Sequence, residues 1–306
     1  MDAKLNQISH DDYLFSIDNY LPSAWLGHAP FLKFLIREQK PKVFLELGVH
    51  NGFSYFLGCQ AIKECGLSTK SFAVDHWLGD NQAGYFDDSI FLGVASLNVK
   101  YEEFSTLFKM SFTEALKFVE NQTVDLLHID GYHSYEAVKE DFESWLCKMS
   151  ENGIVLLHDI HVRRNTFGVF RFWEEIKKNY RTIEFVGSHG LGVVFLGKIP
   201  EGILEELHEF ALQGNLSKIQ GTFGSISDDV IQNSRNGIIA IAEAERDRAE
   251  AERDRAEAER DRAEAECDRA EAERDRAEAE RGEIENSNIW KYSKLYRSLK
   301  SKITGS

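Results

Sequence analysis

Two carboxylates and two histidines stand where apolar runs end. Asp130 closes the run Val124 to Ile129, His133 follows three residues later, and His158-Asp159 closes the run Ile154 to Leu157. A short, continuous apolar run ending in a polar residue reads as a strand buried on both faces, with its carboxyl end at a ligand crevice. If the two runs are neighbours, about 5 Å apart, the carboxylates of Asp130 and Asp159 repel unless a cation lies between them. Their hard oxygens suit Mg²⁺ or Mn²⁺, with His158 as a third candidate ligand. His133, on the turn before Ser134, titrates near neutrality and is the candidate general base. Of the ten histidines, His128 lies inside a strand run and reads as a hydrogen-bonded core residue. His161 and His189 fall on loops at the same edge and are candidate substrate contacts, whereas His10, His28 and His208 carry no signal. Arg163 and Arg164 could meet an anionic acceptor or simply face solvent.

A second constellation is the stretch Val43-Phe-Leu-Glu-Leu-Gly-Val-His-Asn-Gly52, answered by Phe72-Ala-Val-Asp75. Gly48 allows a sharp turn off a strand, Gly52 opens a helix, and an acid at the end of the next strand accepts hydrogen bonds from ribose hydroxyls. The spacing Glu-x-Gly-x-x-x-Gly lacks the tight second glycine that lets backbone approach a pyrophosphate, so a nucleoside without phosphates fits better than NAD.

The elements that must position these residues alternate. Strand-like runs cover 42–47, 71–75, 104–109, 124–129, 153–158, 182–187 and 191–197, and helical segments cover 53–65, 87–97, 112–120, 134–148 and 168–179. Such alternation with short links predicts a mainly parallel sheet covered on both faces. The link Ser188-His-Gly-Leu191 is too short for a parallel crossover, so the last two strands must be antiparallel. The expected fold is therefore α/β: a Rossmann-like, doubly wound, seven-stranded sheet with one antiparallel strand, followed by a long charged helix.

Several blocks in this order resemble the class I S-adenosylmethionine-dependent methyltransferases, from about Pro41 to Gly197. The likeness is nearest to a branch acting on glycans and small metabolites, including metal-dependent sugar O-methyltransferases. It is carried by Glu46-Leu-Gly-Val-His-Asn-Gly52, Val74-Asp-His-Trp-Leu-Gly-Asp80, His128-Ile-Asp-Gly-Tyr-His-Ser-Tyr-Glu136, His158-Asp159, Phe167-Gly-Val-Phe-Arg-Phe-Trp173 and His189-Gly-Leu-Gly192. The resemblance implies S-adenosylmethionine as cofactor, held by Glu46, Gly48, Asn51, Gly52, Ser54, Asp75, His76, Trp77, Ser111 and Asp130. It further implies His133 as base, a divalent ion on Asp130, His158 and Asp159, and a mobile segment from Trp77 to Tyr85 over the cofactor. The acceptor implied is a hydroxyl of a sugar, a glycan or a related metabolite, with glycan-assembly enzymes as potential partners. Two other readings stay open: a hydroxylase whose iron would use Asp130, His133 and His158, and a non-catalytic scaffold of a glycan-assembly complex.

The 306 residues divide into a helical lead-in (1–40), the domain carrying the resemblance (41–199), a helical connector (200–241), a repeat (242–282) and a tail (283–306). Loop signals interrupt the connector between Gly221 and Asp229. A formal net charge of −15 argues against nucleic-acid binding, which needs a basic face. Four cysteines without metal-ligand or disulfide spacing suit a reducing compartment. With no secretory signal or transmembrane run in view, a cytoplasmic location is expected, peripheral at the inner membrane face if the tail binds lipid. From Ala242 the unit Ala-Glu-Ala-Glu-Arg-Asp-Arg runs five times and starts a sixth, Cys267 replacing one arginine. The period of seven is that of a coiled coil, but the apolar a and d positions are missing, so the reading is a single charged helix about 60 Å long. The alternatives are a recent tandem expansion with no role beyond length and, third, a weak alanine-seamed oligomer. In the tail, Ile289, Tyr292, Tyr296, Leu299 and Ile303 recur at helical spacing among five cations, a pattern for an anionic membrane surface or an acidic partner.

Overall fold

The computed structural model describes residues 1–303 apart from Pro22 and Asn165, with the side chain of Ile303 and some side chains between 234 and 247 left undescribed. It falls into two compact units, Met1–Ile238 and Ile239–Ser306.

The strands of the first unit are β1 (Val43–Leu47), β2 (Lys70–Asp75), β3 (Gly79–Asp80), β4 (Gly84–Tyr85), β5 (Ser105–Lys109), β6 (Val124–Ile129), β7 (Met149–His158), β8 (Arg181–Phe185) and β9 (Leu191–Phe195). Seven of them form one sheet in the order β5-β2-β1-β6-β7-β9-β8, while β3 and β4 make a separate small ribbon. All seven expected strands are present. The reversed strand is β9, antiparallel to both β7 and β8. It is inserted between them, so every residue from Leu191 to Phe195 is buried.

Alternation along the strands divides the core in two. Phe44, Ala73, Leu126, Ile154, Leu156 and Val193 face one side, while Leu45, Val74, Leu127, Val155, Leu157 and Val194 face the other. The first side is covered by α1 (Asp2–Ile8), α2 (Ala29–Gln39), α3 (Phe53–Glu64) and α4 (Asp88–Asn98). The second is covered by α5 (Phe112–Ala115), α6 (Tyr135–Trp145) and α7 (Val169–Asn179). Burial of both faces explains why the strands are continuously apolar.

Past the sheet, α8 (Ile203–Phe210) leads into α9 (Leu216–Asn286). The loop signals between Gly221 and Asp229 do not interrupt that helix. Ile219, Phe223, Ile226 and Val230 are buried at helical spacing on the first side of the core, and this packing outweighs the weak helix propensity of the intervening glycines, serines and aspartates. Gln220 adds a hydrogen bond from its side-chain amide to the Glu184 carbonyl.

Within the second unit the repeat is helical and its described side chains are exposed from Arg248 onward. The repeat sets Glu and Arg three residues apart, as in Glu243/Arg246 and Glu245/Arg248, but the side chains of Glu243 and Glu245 lie outside the described ones. The same pairing one and two units on places Arg253 3.9 Å from Glu250 and Arg260 4.0 Å from Glu257. Such exposed pairs add about 0.3–0.5 kcal/mol each at most. With no apolar seam, a peptide spanning residues 242–281 is expected to be helical and monomeric. Its circular dichroism should not change with concentration; sedimentation as a dimer at micromolar concentration would make the repeat an oligomerisation device. The chain then bends at Ser287, whose hydroxyl accepts from the Trp290 N–H and starts α10 (Asn288–Ile303). Among the described residues, no helix is long and apolar enough to cross a membrane.

Candidate active site

Strand order reverses between β1 and β6, where a doubly wound sheet opens its crevice. A cavity of about 750 Å³ lies there, large for a single cofactor and within the usual range for ligand sites. Its walls include Gly48, Asn51, Ser54, Asp75, His76 and Ser111 on one side and Asp130, His133, His158 and Asp159 on the other.

The glycine turn is built as its spacing requires. Gly48 has φ +86°, and a Cβ there would sit 2.1 Å from the Asp130 carbonyl oxygen. Gly52, also at φ +86°, caps α3, and a Cβ would strike the Phe56 ring at 2.6 Å. Asp75 holds this turn directly. Its Oδ2 accepts from the Val49 and His50 N–H groups at 2.9 Å each, and its Oδ1 accepts from the Trp77 N–H at 2.7 Å. Three of about four acceptor positions on the carboxylate are thus used by backbone, so its expected role on a ribose narrows to the remaining position on Oδ1.

Four of the expected cofactor residues stand differently from the sequence reading. Glu46 is fully buried and behind the cavity wall. It accepts from Ser54 Oγ at 2.8 Å, and its other oxygen lies 2.9 Å from His128 Nδ1 in poor hydrogen-bonding geometry. Burial raises its pKa, a rise that His128 opposes. Glu46 therefore supports Ser54 from beneath instead of touching a ligand. Trp77 is also buried, with φ +51°, and packs on Phe91 while its indole N–H donates to the His50 carbonyl. It is a prop under the loop, not part of a cover. Ser111 lines the cavity, but its hydroxyl is engaged with Glu114 in a capping box at the start of α5. Gly52 lies off the wall and acts through the turn alone.

On the opposite wall, β6 and β7 are parallel neighbours. Asp130 follows the end of β6, and its N–H donates to the Leu47 carbonyl. Asp159 follows β7 in a left-handed conformation, φ +62°, which aspartate tolerates better than most residues. His133 Nε2 lies 3.2 Å from Asp130 Oδ1 and 2.9 Å from Asp159 Oδ2. Donor atoms of Asp130, His133 and Asp159 all lie within 4.8 Å of one another. Among the described residues it is His133, not the expected His158, that completes this compact group with the two acids. The His158 Nε2 is directed at the Ser188 carbonyl at 3.0 Å, leaving Nδ1 3.3 Å from Asp130 and 3.5 Å from Asp159.

The electrostatics follow from burial beside two acids. Burial alone would lower the His133 pKa, but Asp130 and Asp159 outweigh it and raise it to about 10. Burial likewise opposes the charged form of Asp130, yet His158 and His133 hold that acid well below the ordinary carboxylate range. His158 is raised by Asp130 against its own burial. His28, dismissed in the sequence, contacts the Ser188 carbonyl at 3.1 Å, and burial together with His158 pushes it down to about 3. It is the neutral member of the group.

Three contributors escaped the sequence reading. Gln82 Oε1 accepts from both the His133 backbone N–H and Nδ1, each at 3.1 Å. That contact directs Nε2 at the two carboxylates. Trp25 packs edge-on against His128 and stacks on His158 while lining the cavity. Asp141 of α6 lines the far end of the cavity, where burial and then Glu140 raise its pKa to about 7. The signal for Asp141 was present: an acid within the apolar stripe Val138, Phe142 and Trp145. His189 reaches the cavity and contacts Asp159 at 3.0 Å, whereas His161 is turned to Glu184 at 2.8 Å. Arg163 lies over the Phe170 ring, and both it and Arg164 are exposed away from the cavity wall.

Asp141 gives a prediction on stability. Its folded pKa is raised from 3.8 to about 7, so the unfolded chain releases this proton first as pH rises. Stability falls between those two values and stays lower above them. Asp141→Asn should stabilise the ligand-free protein at pH 8 by about 1–2 kcal/mol, a few degrees in Tm, and have little effect near pH 4. Equal melting of variant and parent at pH 8 would refute this.

The class defined by this geometry is a Rossmann-like α/β enzyme fold with its ligand cavity at the switch point. Residues 45–160 match the family described as methyltransferase domain. The match is to an enzyme family and covers that stretch of the chain. The chain is similar to an uncharacterized protein of Sinorhizobium fredii, y4gI, at 46% identity over 182 residues, or 59% of this chain. It spans only 20% of that relative's length. A methyltransferase from Geobacter sulfurreducens is similar at 14% identity and a TM-score of 0.43, over 64% of this chain and 88% of that one. The O-methyltransferase TomG from Streptomyces achromogenes, solved with S-adenosylmethionine, is similar at 16% identity and a TM-score of 0.42, over 65% and 91%.

Proposed function

We propose that the protein transfers a methyl group from S-adenosylmethionine to a hydroxyl of a sugar, a glycan or a related metabolite, assisted by a divalent ion. One observation carries the reading: a single cavity joins the Gly48–Asp75 turn to the Asp130–His133–Asp159 cluster. The cofactor supplies an electrophilic methyl group, and the transfer is a direct displacement. The protein must hold the acceptor oxygen in line with that methyl group and help remove its proton. Gly48 gives backbone access, Asp75 fixes the turn and keeps one acceptor position, and Ser54 rests on Glu46.

Asp130, Asp159 and His133 fit a hard dication, two carboxylates and one imidazole within coordinating distance of a common point. Such an ion would lower the pKa of a bound hydroxyl. The cluster has one histidine and two carboxylates, so it departs from the two-histidine, one-carboxylate set of non-haem iron oxygenases. His133 can serve in one of two ways through Nε2, as base or as ligand, because Nδ1 is committed to Gln82. Support for a hydroxyl-rich acceptor comes from the sequence resemblance and from the half-exposed His76 and His189 on the cavity wall.

Calorimetry tests the cofactor. S-adenosylhomocysteine should bind, and Asp75→Ala should weaken it by about 1–3 kcal/mol or more, since the change also unpairs three backbone N–H groups. Tight NADH binding without any response to S-adenosylhomocysteine would overturn the reading.

A further inference from the structure

Helix α10 differs from the rest of the chain in both charge and exposure. Between Asn288 and Ile303 it carries Lys291, Lys294, Arg297, Lys300 and Lys302 and no carboxylate, in a chain whose formal net charge is −15. At about 100° per residue, Ile289, Tyr292, Leu295, Tyr296 and Leu299 fall within an arc of about 120°. The cations occupy the rest of the circumference. The apolar arc is open: Ile289 is 83% exposed, Tyr292 72%, Tyr296 66% and Leu299 53%. So many large apolar side chains left in water on one helix mark an interaction surface.

The helix is also set up as an element of its own. Ser287 breaks the path of α9 and caps α10 through the Trp290 N–H. Arg297 is held back along the helix, against Ser293 at 2.8 Å and over the Trp290 ring at 5.6 Å. Lys291 and Lys302 lie within about 40° of the Leu295 edge of the apolar arc, where long stems can carry charge toward a facing anionic layer.

We propose that α10 is an anionic-membrane anchor, lying in the plane of the lipid headgroups with its apolar arc in the interface. Charge complementarity selects this occupant. Lys300 lies beyond the Ile289 edge of the arc and Lys302 and Lys291 beyond the Leu295 edge, so cations flank it on both sides, as an extended negative surface requires, while Tyr292 and Tyr296 place amphipathic rings within it. Membrane attachment would bring the methyltransferase domain to acceptors built on or beside a lipid carrier. That last step rests on the proposed methyl transfer, whereas the anchor does not.

The test is flotation of the full-length protein with phosphatidylcholine vesicles, with and without phosphatidylglycerol. The protein should float with the anionic vesicles and not with the neutral ones, and high salt should release it. Lys291→Glu/Lys302→Glu should weaken partition by about a hundredfold or more, while Lys291→Arg/Lys302→Arg should keep it. Ile289→Ser/Tyr296→Ser should also lose it, with S-adenosylhomocysteine binding unchanged in every variant as a control on folding. The proposal is overturned if the protein fails to float with anionic vesicles, floats equally with neutral ones, or floats equally well with the charge-reversed helix. If flotation succeeds while no methyl transfer is ever found, the anchor stands and the proposed function falls.

Discussion

Replacing His133 with alanine is expected to lower turnover by about 10²–10⁴-fold while binding of S-adenosylhomocysteine stays nearly unchanged. The asymmetry follows from the site. The ring of His133 touches Asp130, Asp159, Gln82 and Phe167, and none of these belongs to the Gly48–Gly52 turn. Single-turnover kinetics with saturating cofactor would read the first effect and calorimetry the second. A variant with parental turnover would remove His133 from proton transfer and from any required ion site.

Chelation is expected to have the larger effect. EDTA should abolish transfer, Mg²⁺ should restore it, and Asp159→Ala should reproduce the chelated state in the presence of excess metal. Asp159 is the cleaner probe of the two acids, because Asp130 also abuts the glycine turn through its backbone. Activity that survives chelation but not loss of His133 would leave a metal-free enzyme using His133 as base. Loss under chelation with survival of His133→Ala would give proton removal to the ion, held by the two carboxylates. Should activity survive both changes, this account of the site is wrong even if the fold and cofactor are right. The raised pKa of His133, about 10 in this form, sharpens the experiment. An imidazole that stays protonated at neutral pH cannot accept a proton, so a cation that displaces the attraction of the acids would be needed to free its lone pair. Activity without metal should then appear only toward high pH.

Much of the fold could be read directly. The seven strands announced themselves as apolar runs because both sheet faces are covered, and the short link before Leu191 required a reversed strand. Less legible was anything set by distant packing. Gly221 to Asp229 looked like a loop because local propensity is weak there, and only the contact of Phe223 and Ile226 with the sheet face keeps it helical. In the site, strand ends placed Asp130 and Asp159 correctly, since a strand's end fixes where its next side chain emerges. That His133 and not His158 completes the group was invisible, because it turns on the direction of two rings. His158 is turned by the Ser188 carbonyl and His133 by Gln82, and both partners lie far from their histidines in the chain. The same holds for Asp75. Its acid type suggested ribose, but the structure gives most of its acceptor capacity to the loop that ribose would approach.

Gly48 carries a consequence for heredity. Its φ of +86° and the 2.1 Å that a Cβ would have to the Asp130 carbonyl mean that no other amino acid fits without parting β1 from β6. A codon change here cannot be offset by a milder residue, because alanine is already too large. Drift at this position is therefore closed to any lineage that keeps this turn. A natural copy of this gene with a residue other than glycine at 48 should encode a protein that has lost the cofactor turn and the acid cluster together, and assay of such a copy would show whether it has.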